Sequence, residues 1–157
     1  MNMRILVMSD SHGCVDNMVQ CVERVEPNHI LHLGDCIRDA ERLSRQFPSI
    51  PMTTVPGNCD YGTWDEPEKL VELGGKRILM MHGHTRGVKY DIQRAMYAAR
   101  EYGADVLLFG HTHCPLVDFD GAMYVMNPGA VGGRGSSATY GVITINGKGF
   151  SCATYRL

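Results

Sequence analysis

The chain has 157 residues, of which 44% are hydrophobic and 20% are charged. These fractions are typical of folded globular domains, so the composition excludes a disordered or fibrous protein. With 15 Lys and Arg against 17 Asp and Glu, the formal net charge is −2 and no basic run suits an extended nucleic acid. We expect one domain spanning residues 1–157.

The location of the protein is predicted from its N-terminus and its cysteines. The N-terminal apolar segment is too short for a signal peptide, and no stretch approaches the length of a membrane-spanning helix. We therefore expect a cytoplasmic protein with no membrane partner. The six cysteines contain no Cys-x-x-Cys pair, and we interpret them as reduced thiols.

The first part of the chain alternates strand-like and helix-like segments. Apolar runs predict strands over residues 4–8, 29–33 and 52–55. Asp16 is predicted to cap the first helix, and Asp39 is predicted to start the second. These are strand-loop-helix units, which favour a partly parallel sheet.

The rest of the chain is predicted to form hairpins around one further helix and one buried strand. Two-residue turn signals occur at Gly74-Gly75, Asp120-Gly121 and Asn146-Gly147. A helix is predicted over residues 89–102 and a strand over residues 106–109. Together these elements predict a four-layer α/β/β/α sandwich, in which two mixed sheets are flanked by helices.

Side chains that bind metals follow the ends of the predicted strands. Ligands of open α/β sheets bind beyond the carboxyl ends of the strands, so these side chains are expected to lie together. Any one motif is explained as well by turn chemistry or by a structural histidine. However, three motifs hold five of the seven histidines, which favours a metal site. The candidate ligands are Asp10, His12, Asp35, Asn58, His82, His111 and His113.

Two metal ions are expected, because seven ligands are too many for one. A mixed set of carboxylates and imidazoles suits divalent transition metals, whereas Mg²⁺ and Ca²⁺ prefer oxygen ligands. We expect Mn²⁺ first, with Ni²⁺, Fe²⁺, Co²⁺ or Zn²⁺ as alternatives.

The order of these motifs is similar to that of the calcineurin-like metallophosphoesterase superfamily. The matching motifs are Asp10-x-His12, Gly34-Asp35, Gly57-Asn58, His82 and Gly110-His111-x-His113. The form Gly57-Asn58-Cys59-Asp60 and the later Asn127-Pro128-Gly129 resemble its small prokaryotic phosphodiesterase branch. Relatives of that branch include the retromer scaffold subunit.

The resemblance implies a role for each candidate ligand. One metal ion would be held by Asp10, His12 and His113, the other by Asn58, His82 and His111, and Asp35 would bridge the two. The implied activity is the hydrolysis of small phosphodiesters by in-line attack of a metal-bridging hydroxide.

The chain departs from the family pattern at Cys59. Many members have a histidine there, which protonates the leaving oxygen and is oriented by a following acid, here Asp60. A thiol replaces imidazole poorly at neutral pH, so we expect a preference for good leaving groups. The resemblance implies catalytic roles for Asn58, Asp60 and His84, and substrate contacts from Asn58, Cys59 and His84. A purely structural role of His84 is the alternative.

Several alternatives stay open at this stage. A phosphomonoesterase or nucleotidase would use the same metals, and a protein-interaction scaffold would use the same fold. The sequence leaves a homo-oligomer open as a partner state and does not identify the natural substrate. Arg134 is interpreted as a solvated loop residue rather than a phosphate ligand, and His29 and His32 are interpreted as structural.

Overall fold

A computed structural model describes residues 2–62, 64–133, 135 and 137–157 of the chain. The helices are α1 (Val15–Val25), α2 (Ile37–Gln46) and α3 (Gln93–Glu101), with a short 3₁₀ turn at His84–Arg86. The strands are β1 (Met3–Met8), β2 (His29–His32), β3 (Met52–Thr54), β4 (Glu68–Leu73), β5 (Lys76–Met81), β6 (Val106–Leu108), β7 (Leu116–Phe119), β8 (Tyr124–Asn127), β9 (Thr139–Asn146) and β10 (Gly149–Arg156). No helix in the described ranges is long and apolar enough to cross a membrane.

The strands form two mixed sheets of five strands each. The first sheet has the order β10-β9-β1-β2-β3, and the second has the order β4-β5-β6-β8-β7. In the first, β1 pairs parallel with β2 and antiparallel with β9. In the second, β6 pairs parallel with both β5 and β8. The three predicted hairpins are confirmed as the antiparallel pairs β4–β5, β7–β8 and β9–β10.

Three apolar clusters separate the chain into four layers. Side chains alternate across a strand, so Ile5 and Val7 of β1 enter the cluster between the sheets, while Leu6 and Met8 pack against α1 and α2. The second sheet does the same, with Leu79 in the cluster that packs against α3. This confirms the predicted α/β/β/α sandwich. Because both faces of the central strands are covered in this sandwich, these strands are continuous apolar runs.

The starts of all three helices differ from their prediction. Helix α1 already begins at Val15, and Asp16 lies in its first turn and makes no cap. The helix predicted over residues 89–102 begins only at Gln93. The N–H of Gln93 donates to Asp91 Oδ1 at 3.0 Å, and the residues before Gln93 form a tight turn instead of a helix.

The start of α2 is also earlier than predicted, at Ile37 rather than at Asp39. The N–H groups at this end are bound by a carboxylate distant in sequence, that of Asp60. Asp39 is buried in the first turn and accepts a hydrogen bond from Gly13 N–H at 2.7 Å. A residue that resembles a helix cap in the sequence therefore supports a neighbouring loop.

His32 lies fully buried at the end of β2. Its Nδ1 accepts the N–H of Gly34 at 3.1 Å, so the neutral ring carries its proton on Nε2, which is 3.1 Å from Ser11 Oγ. Burial lowers the pKa of His32 to about 4, although nearby carboxylates act in the opposite direction. The neutral ring joins the loop after β1 to the loop after β2.

Replacing Gly57 with Ala is expected to destabilise the fold. A Cβ at this position would collide with the side chain and backbone of Asp35. We expect Gly57→Ala to lower the free energy of unfolding by about 1–3 kcal/mol, measured by urea unfolding. Gly147→Ala is the matched control, because nothing lies within 4 Å of its added Cβ. Equal losses in the two variants would contradict the close approach of these loops.

The stability of the fold is expected to depend on pH through His32. Its folded pKa of about 4 is below the ordinary 6.5, so at low pH the unfolded chain binds a proton that the folded chain does not. This contribution is complete above pH 6.5 and is lost as the pH falls toward 4.

The variant His32→Asn tests this expectation, because its Oδ1 can still accept the Gly34 N–H. We expect it to reduce the pH dependence of unfolding between these limits by up to about 1.4 kcal/mol per pH unit. Urea unfolding at several pH values, with chelator present, measures the slope. The same slope in both proteins would rule out His32 as its source.

Candidate metal centre

The loops that follow the strands bring all seven candidate ligands to one end of the sandwich. Six of these residues form two groups of three. Within each group, the three ligand atoms, one from each residue, lie within 4.8 Å of one another. The first group is Asp10, His12 and His113, and the second is Asp35, His82 and His111. Asn58 joins the second group, since its Oδ1 is 3.1 Å from His82 Nε2.

The backbone is in the left-handed region at five of these ligands. Positive φ angles occur at Asp10 (55°), His12 (44°), Asp35 (58°), His111 (69°) and His113 (61°). Asp and His tolerate this region better than most residues, but it still costs free energy. Such turns direct the side chains of closely spaced residues inward, toward one point.

Asp10 organises the first group from a fully buried position. Its Oδ2 accepts hydrogen bonds from Ser9 Oγ at 2.7 Å and from His111 N–H at 3.2 Å. Its Oδ1 lies 3.2 Å from His113 Nε2 and 3.8 Å from His12 Nε2. Asp10 Oδ1 and His12 Nε2 are buried and have no hydrogen-bond partner among the described residues. Buried polar atoms are rarely left unpaired, so these two atoms fit the ligands of a cation.

His82 is the centre of the second group. Its Nδ1 donates to Leu33 O at 2.9 Å, which leaves the Nε2 of the neutral ring as an acceptor. This Nε2 lies 3.1 Å from both Asn58 Oδ1 and His111 Nδ1. His82 Nε2 and Asn58 Oδ1 are both acceptors here, so their convergence requires a shared proton or cation. Burial lowers the pKa of His82, but the carboxylates of Asp35 and Asp10 outweigh burial and raise it.

Asp35 lies between the two groups. Its Oδ1 accepts the N–H of Cys59 at 3.0 Å, while its Oδ2 is 3.5 Å from His82 Nε2 and 3.8 Å from His12 Nε2. Burial alone would raise the pKa of Asp35. His82 and the Cys59 N–H outweigh burial and hold this pKa well below its usual value. The carboxylate is therefore ionised and faces both groups.

Two other histidines of the site, His111 and His84, are neutral at pH 7. Burial, together with the charge of His82, lowers the pKa of His111 to about 4. Burial also lowers the pKa of His84, whose ring lies 5.5 Å from that of His82. The buried Nδ1 of His84 has no hydrogen-bond partner among the described residues. His84 thus borders the centre with a free polar atom.

Asp60 joins the loops that carry Asp35 and Asn58. Its Oδ2 accepts the N–H groups of Asp35 and Gly57, both at 2.8 Å. Its Oδ1 accepts the N–H groups of Cys36 and Ile37, both at 2.9 Å. Both oxygens are engaged with backbone, so in this structure Asp60 positions the loops and the start of α2.

Asn58 and Cys59, by contrast, are exposed beside the ligands. The amide nitrogen of Asn58 is directed toward Cys59 Sγ, 3.8 Å away, which leaves it accessible to a bound substrate. Burial raises the pKa of the Cys59 thiol, and the carboxylate of Asp35 adds to the effect. The thiol is therefore protonated at neutral pH.

Two supporting residues were missed by sequence reasoning. Asn127 is buried, and its amide nitrogen donates to Gly110 O at 3.1 Å and to Thr112 Oγ1 at 2.9 Å. It thereby holds the loop of His111 and His113. Asp39 holds the loop of His12 in a similar way through Gly13. In the sequence, Asn127 was noted only within the resemblance of Asn127-Pro128-Gly129, and Asp39 was interpreted as a helix start.

An open cavity of about 790 Å³ adjoins the centre, lined in part by His12, Cys59, Arg38 and Tyr61. Sequence reasoning identified neither Arg38 nor Tyr61, although Arg38, Arg42 and Arg45 have helical spacing. Arg134 lies outside the described residues.

Comparison with known proteins gives related sequences. Residues 3–148 match the calcineurin-like phosphoesterase superfamily domain. The probable metallophosphoesterase YsnB of Bacillus subtilis is 33% identical over 132 residues, which cover 82% of this chain and 75% of that protein. The phosphodiesterase YfcE of Escherichia coli K12 is 25% identical over 169 residues, which cover 90% and 87%.

Solved structures share the fold over almost the whole chain. A predicted phosphoesterase from Streptococcus pneumoniae TIGR4 has a TM-score of 0.83 at 27% identity, covering 99% of this chain and 90% of that one. Zinc-complexed Vps29 from Entamoeba histolytica has a TM-score of 0.75 at 19% identity, covering 98% and 99%. Vps29 thus shows a likeness of fold alone. The chain belongs to the calcineurin-like phosphoesterase superfamily.

Proposed function

We propose that the chain is a phosphodiesterase that uses two divalent metal ions to hydrolyse small phosphodiesters. The position of Asp35 carries this proposal, because its Oδ2 faces His12 of one group and His82 of the other. A carboxylate between two groups of ligands suits a bridge between two ions. The phosphodiesterase YfcE among the relatives supports the diesterase activity.

Each ion would be held by one side of the centre. Asp10, His12 and His113 would hold the first, and Asn58, His82 and His111 the second, with Asp35 shared. When bound, two such ions supply Lewis-acid charge and an activated hydroxide for in-line attack on phosphorus. Carboxylate and imidazole together suit Mn²⁺, with Ni²⁺, Fe²⁺, Co²⁺ or Zn²⁺ as alternatives.

The protein residues would orient the substrate beside these ions. The exposed amide of Asn58 can donate to a non-bridging phosphate oxygen while its Oδ1 faces the second group. The ring of His84, which lies 5.5 Å from that of His82, would border the substrate on the side of the second group. Asp60 would act indirectly, by fixing the backbone of Asp35 and Gly57.

Protonation of the leaving group is the weak step of this arrangement. The raised pKa of the Cys59 thiol makes it a poor acid, and the lowered pKa of His84 leaves that ring without a spare proton at neutral pH. We therefore propose that good leaving groups are strongly preferred.

Two other functions use the same structure. A phosphomonoesterase or nucleotidase would be favoured if monoesters were hydrolysed as fast as diesters. A scaffold for protein interaction is the alternative that the fold of Vps29 keeps open. The unpartnered atoms of Asp10 and His12 argue against a pure scaffold, since they would be costly without a ligand.

Removal of the shared carboxylate is expected to abolish activity. We expect stripped wild-type protein to hydrolyse bis(p-nitrophenyl) phosphate only after Mn²⁺ or another of these ions is added. Asp35→Ala should lower kcat/KM at least about 100-fold, since the hydroxide and both ions depend on this residue. Asp118→Ala, on the exposed strand β7, is the matched control. No metal-dependent hydrolysis by the wild type would overturn the proposal in favour of a scaffold.

Supplying the missing imidazole is expected to widen the range of leaving groups. We expect Cys59→His to raise kcat on phosphodiesters with poor leaving groups about tenfold or more, because general-acid catalysis contributes at least that much. Rates on bis(p-nitrophenyl) phosphate should change little. Cys59→Ala separates gain of imidazole from loss of thiol. An unchanged or lower rate of Cys59→His on the poor substrates would contradict the assignment.

A further inference from the structure

The cavity beside the metal centre has two features that the proposed chemistry does not use. Arg38 projects from the first turn of α2, and Tyr61 lies one residue after Asp60. Both side chains line the cavity and are exposed, Tyr61 to 91%. Neither makes a hydrogen bond or ion pair with any residue that the structure describes. An unpaired guanidinium and an uncovered ring thus face the space next to His12 and Cys59.

The positive charge continues along α2. Arg38, Arg42 and Arg45 are exposed on one face of the helix, over a rise of about 10 Å. Arg42 and Arg45 line a second cavity of about 550 Å³, which shares Gly13 with the first. The carboxylates of Glu41 and Asp16 also line these cavities. A third carboxylate at the cavity wall, that of Asp60, is bound to four backbone N–H groups, so two carboxylates remain to pair with the three guanidinium groups.

We propose that this cavity binds one ester group of the substrate, and that the group is nucleotide-like: a flat aromatic ring against Tyr61 and a further phosphate at Arg38. The inference rests on the proposed phosphodiesterase function and adds the class of substrate. Guanidinium binds phosphate oxygens with two parallel hydrogen bonds, and tyrosine rings stack on bases. A simple alkyl ester would use neither group.

The size of the site limits the substrate to a short one. Three arginines and a slightly acidic chain do not suit the many phosphate contacts of a long nucleic acid. A nucleotide ester that carries a second phosphate has one ring and one extra charge to place. It matches Arg38 and Tyr61 while its diester phosphorus lies at the metal centre.

The test is the binding of three probes to the Mn²⁺-loaded protein by isothermal titration calorimetry. The probes are inorganic phosphate, thymidine 5′-phosphate and thymidine 3′,5′-bisphosphate. We expect the affinity to rise along this series, because the second probe adds a ring and the third adds a phosphate. Arg38→Gln should reduce the preference for the bisphosphate over the monophosphate about tenfold. Tyr61→Ala should reduce the preference for thymidine 5′-phosphate over inorganic phosphate at least about fivefold.

Matched controls are available on α3. Arg94→Gln and Tyr97→Ala remove an exposed guanidinium and an exposed ring that line neither cavity, and they should leave every preference unchanged. Equal affinity of wild-type protein for all three probes would overturn the inference. So would equal losses in the cavity variants and their controls.

Hydrolysis of bis(p-nitrophenyl) phosphate, measured on the same samples, separates the two proposals. Failure of the proposed function is the absence of metal-dependent hydrolysis. If the diester is hydrolysed but the protein binds the three probes equally, the inference about the cavity fails and the proposed function stands. In the expected result the diester is hydrolysed, and Arg38 and Tyr61 each account for one step of the affinity series.

Discussion

The candidate centre depends on loops whose backbones approach so closely that only glycine fits at the points of contact. Gly34 and Gly57 lie so near each other that a Cβ on either would meet backbone atoms of the neighbouring loop. A Cβ on Gly110 would likewise collide with Ser9. Asp60 then joins two of these loops by accepting four backbone N–H bonds. The small glycines allow the approach, and the carboxylate holds it.

This packing supports a strained set of ligands. Five candidate ligands have positive φ angles, and buried Asp10 Oδ1 has no partner among the described residues. These features cost free energy that the apolar clusters must offset. The cluster between the sheets and the clusters under the helices anchor the ends of β1, β2, β5 and β6, from which the ligand loops leave. A rigid sandwich can therefore hold a preorganised, destabilised site.

The sequence predicted the layers well and also the gathering of the candidate ligands at one end of the sandwich, because both follow from local patterns. Apolar runs and the two-residue turns specify the strands, and the carboxyl ends of parallel strands meet at one edge of a sheet. Interactions between distant residues could not be predicted. Asp39 resembles a helix start but binds Gly13, whereas the start of α2 is bound by Asp60. The residues that line the cavity, such as Arg38 and Tyr61, could be identified only from the structure, because nothing in a sequence distinguishes them from other exposed Arg and Tyr residues.

The central claim is that two metal ions share Asp35, and crystals of the Mn²⁺-loaded protein test it most directly. Anomalous scattering collected at the manganese edge locates the ions without reference to activity. The account predicts two peaks on opposite sides of the Asp35 carboxylate, one against Asp10, His12 and His113 and the other against Asn58, His82 and His111. A single peak, or two peaks of which neither contacts Asp35, would contradict it.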